Sequence, residues 1–173
     1  MPTEGDISLK LVFVLISMFV SSSLVAETRS IAFVHTHTGE SISIAFKKDG
    51  AFIPENVAAL NRFLRDFRNG KATDMDPQLF DILYEIRERV GSTEAFQLIS
   101  AYRSPETNEM LRRTTSGVAK NSMHSHGRAI DVRLPDVETR RLREVALGLK
   151  QGGVGYYERS NFIHVDTGRV RFW

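Results

Sequence analysis

The chain has 173 residues, of which 42% are apolar and 25% are charged, and its formal net charge is +2. This balance is typical of one globular domain with a sizeable core. The sequence contains no cysteine, which excludes disulfide bonds but does not identify a compartment. No stretch interleaves basic and aromatic residues as nucleic-acid-binding proteins do, so we expect no nucleic-acid partner.

The first 26 residues differ in composition from the rest. An apolar run from Leu11 to Val20 follows Lys10 and precedes the letters SSSLVA, which is the pattern of a secretory signal peptide. The run is short for a bilayer span, which needs about 20 residues. We therefore predict a signal peptide over residues 1–26 and a single domain over residues 27–173. Acidic residues before Lys10 leave an uncleaved membrane anchor open as the alternative.

The rest of the chain alternates between strand-like and helix-like periodicity. The predicted elements are, in order, a β-hairpin over residues 31–35 and 41–46, helices over 54–67 and 77–90, a strand over 95–101, a helix from 105, a polar loop over 114–126, a strand over 129–134, a helix over 137–150, and strands over 154–157 and 162–166. This order predicts an α+β fold with a small antiparallel sheet flanked by helices.

Three residues that are far apart in the chain form a candidate metal site. His124 lies in the polar loop, Asp131 lies on the polar face of the next predicted strand, and His164 lies on one face of the last predicted strand. Two imidazoles and one carboxylate suit a divalent zinc ion with one coordination position left for water. Taken singly, each residue has an ordinary alternative, such as a surface histidine or an aspartate paired with a neighbouring arginine.

The spacing around these residues resembles a known zinc signature. Five residues form the pattern Ser-x-His-x-x-Gly-x-Ala-x-Asp, namely Ser122, His124, Gly127, Ala129 and Asp131. Followed by a histidine on a strand, this pattern is similar to that of the M15 peptidases, the D-Ala-D-Ala peptidase group. The resemblance implies that His124, Asp131 and His164 bind zinc on one face of a hedgehog-like α+β sheet.

The resemblance covers nearly the whole chain after residue 26. Segments at residues 33–41, 61–70, 99–108 and 152–168 look like the periplasmic branch known as DUF882, whose characterised members are murein endopeptidases of the MepK type. It implies a periplasmic enzyme, exported by the general secretory route, that uses zinc-activated water to cleave peptide cross-links between the stem peptides of peptidoglycan. We expect a monomer without a stable protein partner.

The resemblance also suggests a residue that stabilises charge during the reaction. Arg103 follows the strand over 95–101, where a side chain can be held rigidly over a cleft. A guanidinium at this place is expected to stabilise the oxyanion of a tetrahedral intermediate. Its alternative is an ion pair with Glu106 or with an acid elsewhere in the chain.

The general base is harder to identify. Many relatives have an acid where this chain has Asn161, and an amide cannot act as a base. The candidates are Asp166, which could instead orient His164, and Glu158. Ser122 and His126 are expected to bind substrate, with an exposed loop position as the alternative for His126.

Two other functions fit the same residues. One is a D,D- or L,D-carboxypeptidase that trims the ends of stem peptides instead of cutting cross-links. The other is a catalytically inactive, zinc-stabilised protein that binds the cell wall, an interpretation that the amide of Asn161 supports.

Overall fold

The computed structural model describes residues 27–115 and 117–173. The strands in this part of the chain are β1 (Thr28–His35), β2 (Ser41–Lys48), β3 (Ala51–Phe52), β4 (Phe96–Ser100), β5 (Ala129–Arg133), β6 (Gly153–Tyr157), β7 (Phe162–Asp166) and β8 (Arg171–Phe172). The helices are α1 (Pro54–Phe63), α2 (Gln78–Val90), α3 (Pro105–Thr114) and α4 (Thr139–Leu149). Short 3₁₀ turns cover Met123–His126 and Glu158–Ser160.

All these strands belong to one sheet with the order β3-β2-β1-β4-β5-β7-β6-β8. Most neighbours are antiparallel, but β1 pairs in parallel with β4, and β6 pairs in parallel with β8. The predicted α+β class is confirmed, whereas the predicted small antiparallel sheet is wrong, because the sheet has eight strands and is mixed. Two helices, α1 and α2, separate β1 from β4 in the chain, and such a crossover is what a parallel pair requires.

One face of the sheet carries the hydrophobic core. Alternate residues of the central strands point towards this face and are buried, among them Phe33, Leu98, Ile130 and Ile163. The same apolar cluster includes residues of α1, α2 and α4, such as Leu60, Leu83 and Leu142. Because side chains alternate between the faces of a strand, the other residues of β5 and β7 lie on the opposite face.

No helix among the described residues is long and apolar enough to cross a membrane. The predicted signal peptide over residues 1–26 lies outside the part of the chain that the structure describes. Its cleavage, and the assignment of residues 27–173 to one domain, stay predictions.

Gly127 makes a turn that the fold requires beside the candidate site. Its backbone is left-handed, with φ of 65°, and a Cβ atom there would lie 2.5 Å from the carbonyl oxygen of Asp74. We expect Gly127→Ala to lower the free energy of unfolding by about 1–3 kcal/mol, because alanine is strained in this region and the backbone of Asp74 must move. Denaturant unfolding followed by circular dichroism measures the change.

Gly148→Ala is the matched control for this substitution. Gly148 lies inside α4, and no atom lies within 4 Å of a Cβ atom built there. Alanine favours a helix over glycine by about 1 kcal/mol, so this variant should be as stable as the original chain or more stable. Equal stabilities for the two variants would show that neither the left-handed backbone nor the contact with Asp74 requires glycine at position 127.

Candidate metal centre

The pairing of β5 with β7 brings the first two candidate ligands together. Asp131 and His164 are direct partners in this antiparallel pair. Their neighbours Ile130 and Ile163 are fully buried in the core on the other face. The alternation of apolar and polar residues in both strands therefore orients the carboxylate and the imidazole towards the same point.

His124 reaches this point from the 3₁₀ turn Met123–His126. Its side chain is 1% exposed, and its Nδ1 lies 2.7 Å from the carbonyl oxygen of Ala101. A carbonyl oxygen only accepts hydrogen bonds, so Nδ1 carries the proton and Nε2 keeps its lone pair. That lone pair faces Asp131 and His164, which is the orientation that metal ligation requires.

The three ligand atoms converge. Nε2 of His124 lies 3.2 Å from Oδ1 of Asp131 and 3.1 Å from Nδ1 of His164, and the latter two atoms are 2.9 Å apart. Ligand atoms at about 2.0–2.1 Å from a tetrahedral zinc ion are separated by about 3.3 Å. The group therefore fits a small divalent cation with little movement, and its two nitrogens and one oxygen suit zinc.

Asp166 lies behind His164, where it fixes the orientation of the ring. Its Oδ2 lies 2.9 Å from Nε2 of His164. Arg171 donates to both carboxylate oxygens at 2.9 and 2.7 Å, and the backbone N–H groups of Gly153 and Gly168 donate to Oδ1 at 3.2 and 2.8 Å. Asp166 is fully buried and is not among the residues that line the cavity at the metal group. A carboxylate in this position can orient the ring of a metal ligand, which is one of the two functions predicted for Asp166.

The environment shifts the pKa values of these groups in different directions. Burial lowers the pKa of His124. Burial works against ionisation of Asp131, but the adjacent His124 and His164 hold its pKa below the usual range. Burial also works against protonation of His164, but its hydrogen bonds to Asp131 and Asp166 raise its pKa overall. A metal and a proton therefore compete for Nδ1 of His164.

Arg103 borders the cavity at the metal group, which has a volume of about 390 Å³. Its Nη2 lies 3.9 Å from Oδ2 of Asp131, and its side chain is 13% exposed. Within the described chain its Nε has no hydrogen-bond partner. Glu106 contacts Lys71 at 2.6 Å, so of the alternative ion pairs the structure shows the one with another acid, Asp131. A buried positive charge therefore lies beside the metal group.

The two predicted substrate-binding residues differ in their positions. Ser122 is buried and lines the cavity. His126 is exposed and does not line it; its Nε2 lies 2.7 Å from Oδ1 of Asn121, which does. His126 therefore lies at the rim of the cavity, where it contacts a lining residue but does not line the cavity itself.

Glu158 and Asn161 lie away from the metal group. Both line a second, polar cavity of about 780 Å³, which borders the ends of β5, β6 and β7. The amide oxygen of Asn161 accepts a hydrogen bond from the hydroxyl of Thr139. Of the residues that the structure describes, Asp131 is the one carboxylate that lines the cavity at the metal group.

An aromatic wall that the sequence pattern did not indicate lines the same cavity and is formed by Tyr157, Phe162 and Trp173. The ring centre of Trp173 lies 5.1 Å from that of His164, and the rings of Tyr157 and Phe162 stack at 4.6 Å. Gly155 makes room for this arrangement, because a Cβ atom there would lie 2.7 Å from the indole. The two glycines of β6, Gly153 and Gly155, which share one face of the strand, were the available signal, but the two-residue strand β8 shows no readable pattern.

Comparisons with known proteins agree with the site. Residues 23–173 match the peptidase M15 family that is described as peptidoglycan L,D-endopeptidase MepK. The chain is 47% identical to a protein of that name from Escherichia coli (strain K12) over 137 residues, which are 79% of this chain and 75% of the relative. It is 44% identical to a probable peptidoglycan L,D-endopeptidase MepK from Haemophilus influenzae over 146 residues, 84% of this chain and 78% of the relative.

A search of solved structures found no significant match. The family match covers the metal group, Arg103 and the aromatic wall, and it extends over all the described residues. The chain therefore belongs to the M15 peptidases, in the family that is described as peptidoglycan L,D-endopeptidase MepK.

Proposed function

We propose that this protein is a zinc-dependent peptidoglycan hydrolase that cleaves peptide cross-links between murein stem peptides. The observation that carries the proposal is the convergence of His124, Asp131 and His164, whose ligand atoms lie 2.9–3.2 Å apart. Membership of a metal-dependent peptidase family supports the reaction class. Relatives at 44–47% identity that are named peptidoglycan endopeptidases support the substrate.

The residues of the cavity have different functions in peptide hydrolysis. A zinc ion at the metal group would act as a Lewis acid. It would polarise the scissile carbonyl and lower the pKa of bound water to about 7. Arg103 donates hydrogen bonds to the carbonyl oxygen as negative charge develops on it. Ser122 binds the substrate inside the cavity, and His126 binds it at the rim.

Solvent takes the proton of the attacking water and returns a proton to the leaving amine, because among the described residues the cavity is lined by no carboxylate besides the candidate ligand Asp131. Asp166 is saturated by His164, Arg171 and backbone donors, and Glu158 borders a different cavity. Neither acid is among the described residues that line the cavity at the metal group. We therefore assign Asp166 as a positioning residue for His164, and no carboxylate as the base.

The relatives are named endopeptidases, which favours an active enzyme over an inactive wall-binding protein. The amide of Asn161 contacts Thr139 at the second cavity and is not among the described residues that line the cavity at the metal group. A carboxypeptidase would use the same ligands, but the relatives are named endopeptidases. Cleavage of cross-linked substrates is therefore the preferred activity.

We propose that the protein acts in the periplasm. Residues 1–26 serve as a signal peptide for the general secretory route, or as an uncleaved anchor, and residues 27–173 are the catalytic domain. The domain works as a monomer on peptidoglycan and needs no stable protein partner.

Digestion of purified sacculi tests the proposed activity. The protein truncated before Glu27 should convert cross-linked muropeptides to monomers, which chromatography of the soluble products detects. A chelator should abolish the activity, and so should His124→Ala, because each removes the metal or one of its ligands.

His37→Ala is the matched control, since His37 is exposed and lies outside the cavity. It should keep full activity. Release of terminal residues without loss of cross-linked dimers would favour a carboxypeptidase. Binding to sacculi without any release would favour the wall-binding protein.

Asp166→Asn should weaken zinc binding by about 10- to 100-fold. The amide keeps the shape of the carboxylate but loses its charge, so it holds the ring of His164 less firmly and no longer balances Arg171. Competition with a chromophoric chelator measures the affinity directly. Asp136→Asn, at an exposed position of the second cavity, is the control and should bind zinc normally. Equal affinities for both variants would rule out a positioning function for Asp166.

Arg103→Lys should lower kcat by about 100-fold and leave the zinc content unchanged. Lysine keeps the positive charge but lacks the planar group of N–H donors that Arg103 holds over the cavity. Steady-state kinetics on a purified cross-linked muropeptide, with metal analysis of the same sample, separates the two effects. A rise in KM with unchanged kcat would assign Arg103 to substrate binding alone.

A further inference from the structure

We propose that the hydroxyl group of Tyr157 is a second hydrogen-bond donor to the tetrahedral intermediate, beside Arg103. The inference rests on the proposed function, because it concerns the same peptide hydrolysis at the same cavity. It adds a catalytic residue that the sequence pattern did not indicate. Three independent features of the structure support it: the strand register, the hydrogen bonding of the hydroxyl group, and the packing that holds the ring.

The register between β6 and β7 places Tyr157 on the face of the metal group. Gly155 is the partner of His164, and Tyr157 is the partner of Phe162. Residues two apart on a strand share a face, so Tyr157 follows Gly155 on the side of the sheet where His164 carries its ligand atom. Tyr157 and Arg103 accordingly line the same cavity as the three candidate ligands.

The hydrogen bonding of Tyr157 leaves its proton available. Nε1 of Trp173 donates to the hydroxyl oxygen of Tyr157 at 3.1 Å. An indole N–H can only donate, so the oxygen is the acceptor in this contact and the phenolic proton is not used in it. Within the described chain, that proton has no acceptor. The bond from Trp173 also polarises the phenol, which makes it a better donor.

The phenol of Tyr157 is 36% exposed, and two aromatic neighbours restrain it. The ring of Tyr157 stacks on Phe162 with 17° between the planes, and the indole of Trp173 fills the space over Gly155. The backbone of Trp173 is held as well, because its carbonyl oxygen accepts from the N–H of Tyr156 at 3.0 Å. A donor that is already in place loses little entropy and needs no reorganisation during the reaction.

Peptide hydrolysis in this cavity would require a hydrogen-bond donor such as the hydroxyl group of Tyr157. Peptide hydrolysis places a negative charge on the carbonyl oxygen, and the cavity has no second carboxylate among its described lining residues to act as a proton relay. Stabilisation of that charge by N–H and O–H donors must then carry more of the catalysis. Tyr157 donates a hydrogen bond and keeps its proton, so no covalent bond in the tyrosine is broken.

Tyr157→Phe tests the proposal, because phenylalanine keeps the stacked ring and loses only the hydroxyl group. In the zinc-loaded protein acting on a purified cross-linked muropeptide, kcat should fall by about 10- to 100-fold and KM should stay within about threefold. Zinc content and melting temperature should not change. A pseudo-peptide with a phosphinate group in place of the scissile amide should bind more weakly by a similar factor, since it resembles the tetrahedral intermediate.

Tyr156→Phe is the matched control. Tyr156 is the next residue on β6 but pairs with Ile163, lies on the opposite face and borders the second cavity. This variant should show unchanged kcat and phosphinate affinity. Trp173→Phe, which removes the N–H group that orients the phenol but keeps a ring over Gly155, should show a smaller loss of kcat than Tyr157→Phe.

The outcomes separate this inference from the proposed function. If the unaltered protein cleaves the muropeptide and Tyr157→Phe cleaves it equally fast, the inference is wrong and the function stands. A rise in KM alone, or a loss of zinc, would also overturn it, since Tyr157 would then bind substrate or support the metal group. If the unaltered zinc-loaded protein does not cleave the muropeptide, the proposed function fails, and the inference fails with it.

Discussion

The register between β5 and β7 is the constraint on which the site depends. Asp131 and His164 oppose each other across this pair, and the buried residues beside them, Ile130 and Ile163, lie in the core. A shift of β7 by one residue against β5 would turn His164 into the core and its apolar neighbours in β7 into the cavity. The hydrophobic alternation that stabilises the sheet therefore also selects the one register in which the ligand atoms converge.

The remaining ligand and its supports depend on hydrogen bonds instead of strand register. His124 has its tautomer fixed by the carbonyl oxygen of Ala101, and His164 has its ring fixed by Asp166. Burial of Asp166 would be unfavourable without partners, but Arg171 and two backbone N–H groups satisfy its oxygens. The orientation of the imidazoles is thus built into the protein before any metal arrives, which reduces the ordering cost of metal binding.

The sequence predicted the parts of this arrangement that depend on local pattern. Alternation located β5 and β7 and placed Asp131 and His164 on their polar faces, and the structure brings the ligand atoms of these two residues within 2.9 Å. The parallel pairing of β1 with β4 could not be predicted, since it depends on how the crossover helices pack. The surroundings of Asp166 and the aromatic wall were missed for a related reason. Both depend on β8, which contains Arg171 and is followed by Trp173. Nothing in the sequence of so short a strand indicates that it pairs with β6.

The position of Asn161 shows why a missing acid in the sequence need not mean a missing step in the reaction. Asn161 ends the 3₁₀ turn before β7 with a left-handed φ of 51°, a conformation that asparagine tolerates better than most residues. Its amide oxygen accepts a hydrogen bond from Thr139, the first residue of α4, so Asn161 stabilises the turn and connects it to α4. With no acid directed at the cavity from this turn, stabilisation of charge on the substrate must come from the donors that do face it. Arg103, which lies between β4 and α3, and Tyr157, at the end of β6, are such donors, and both line the cavity at the metal group.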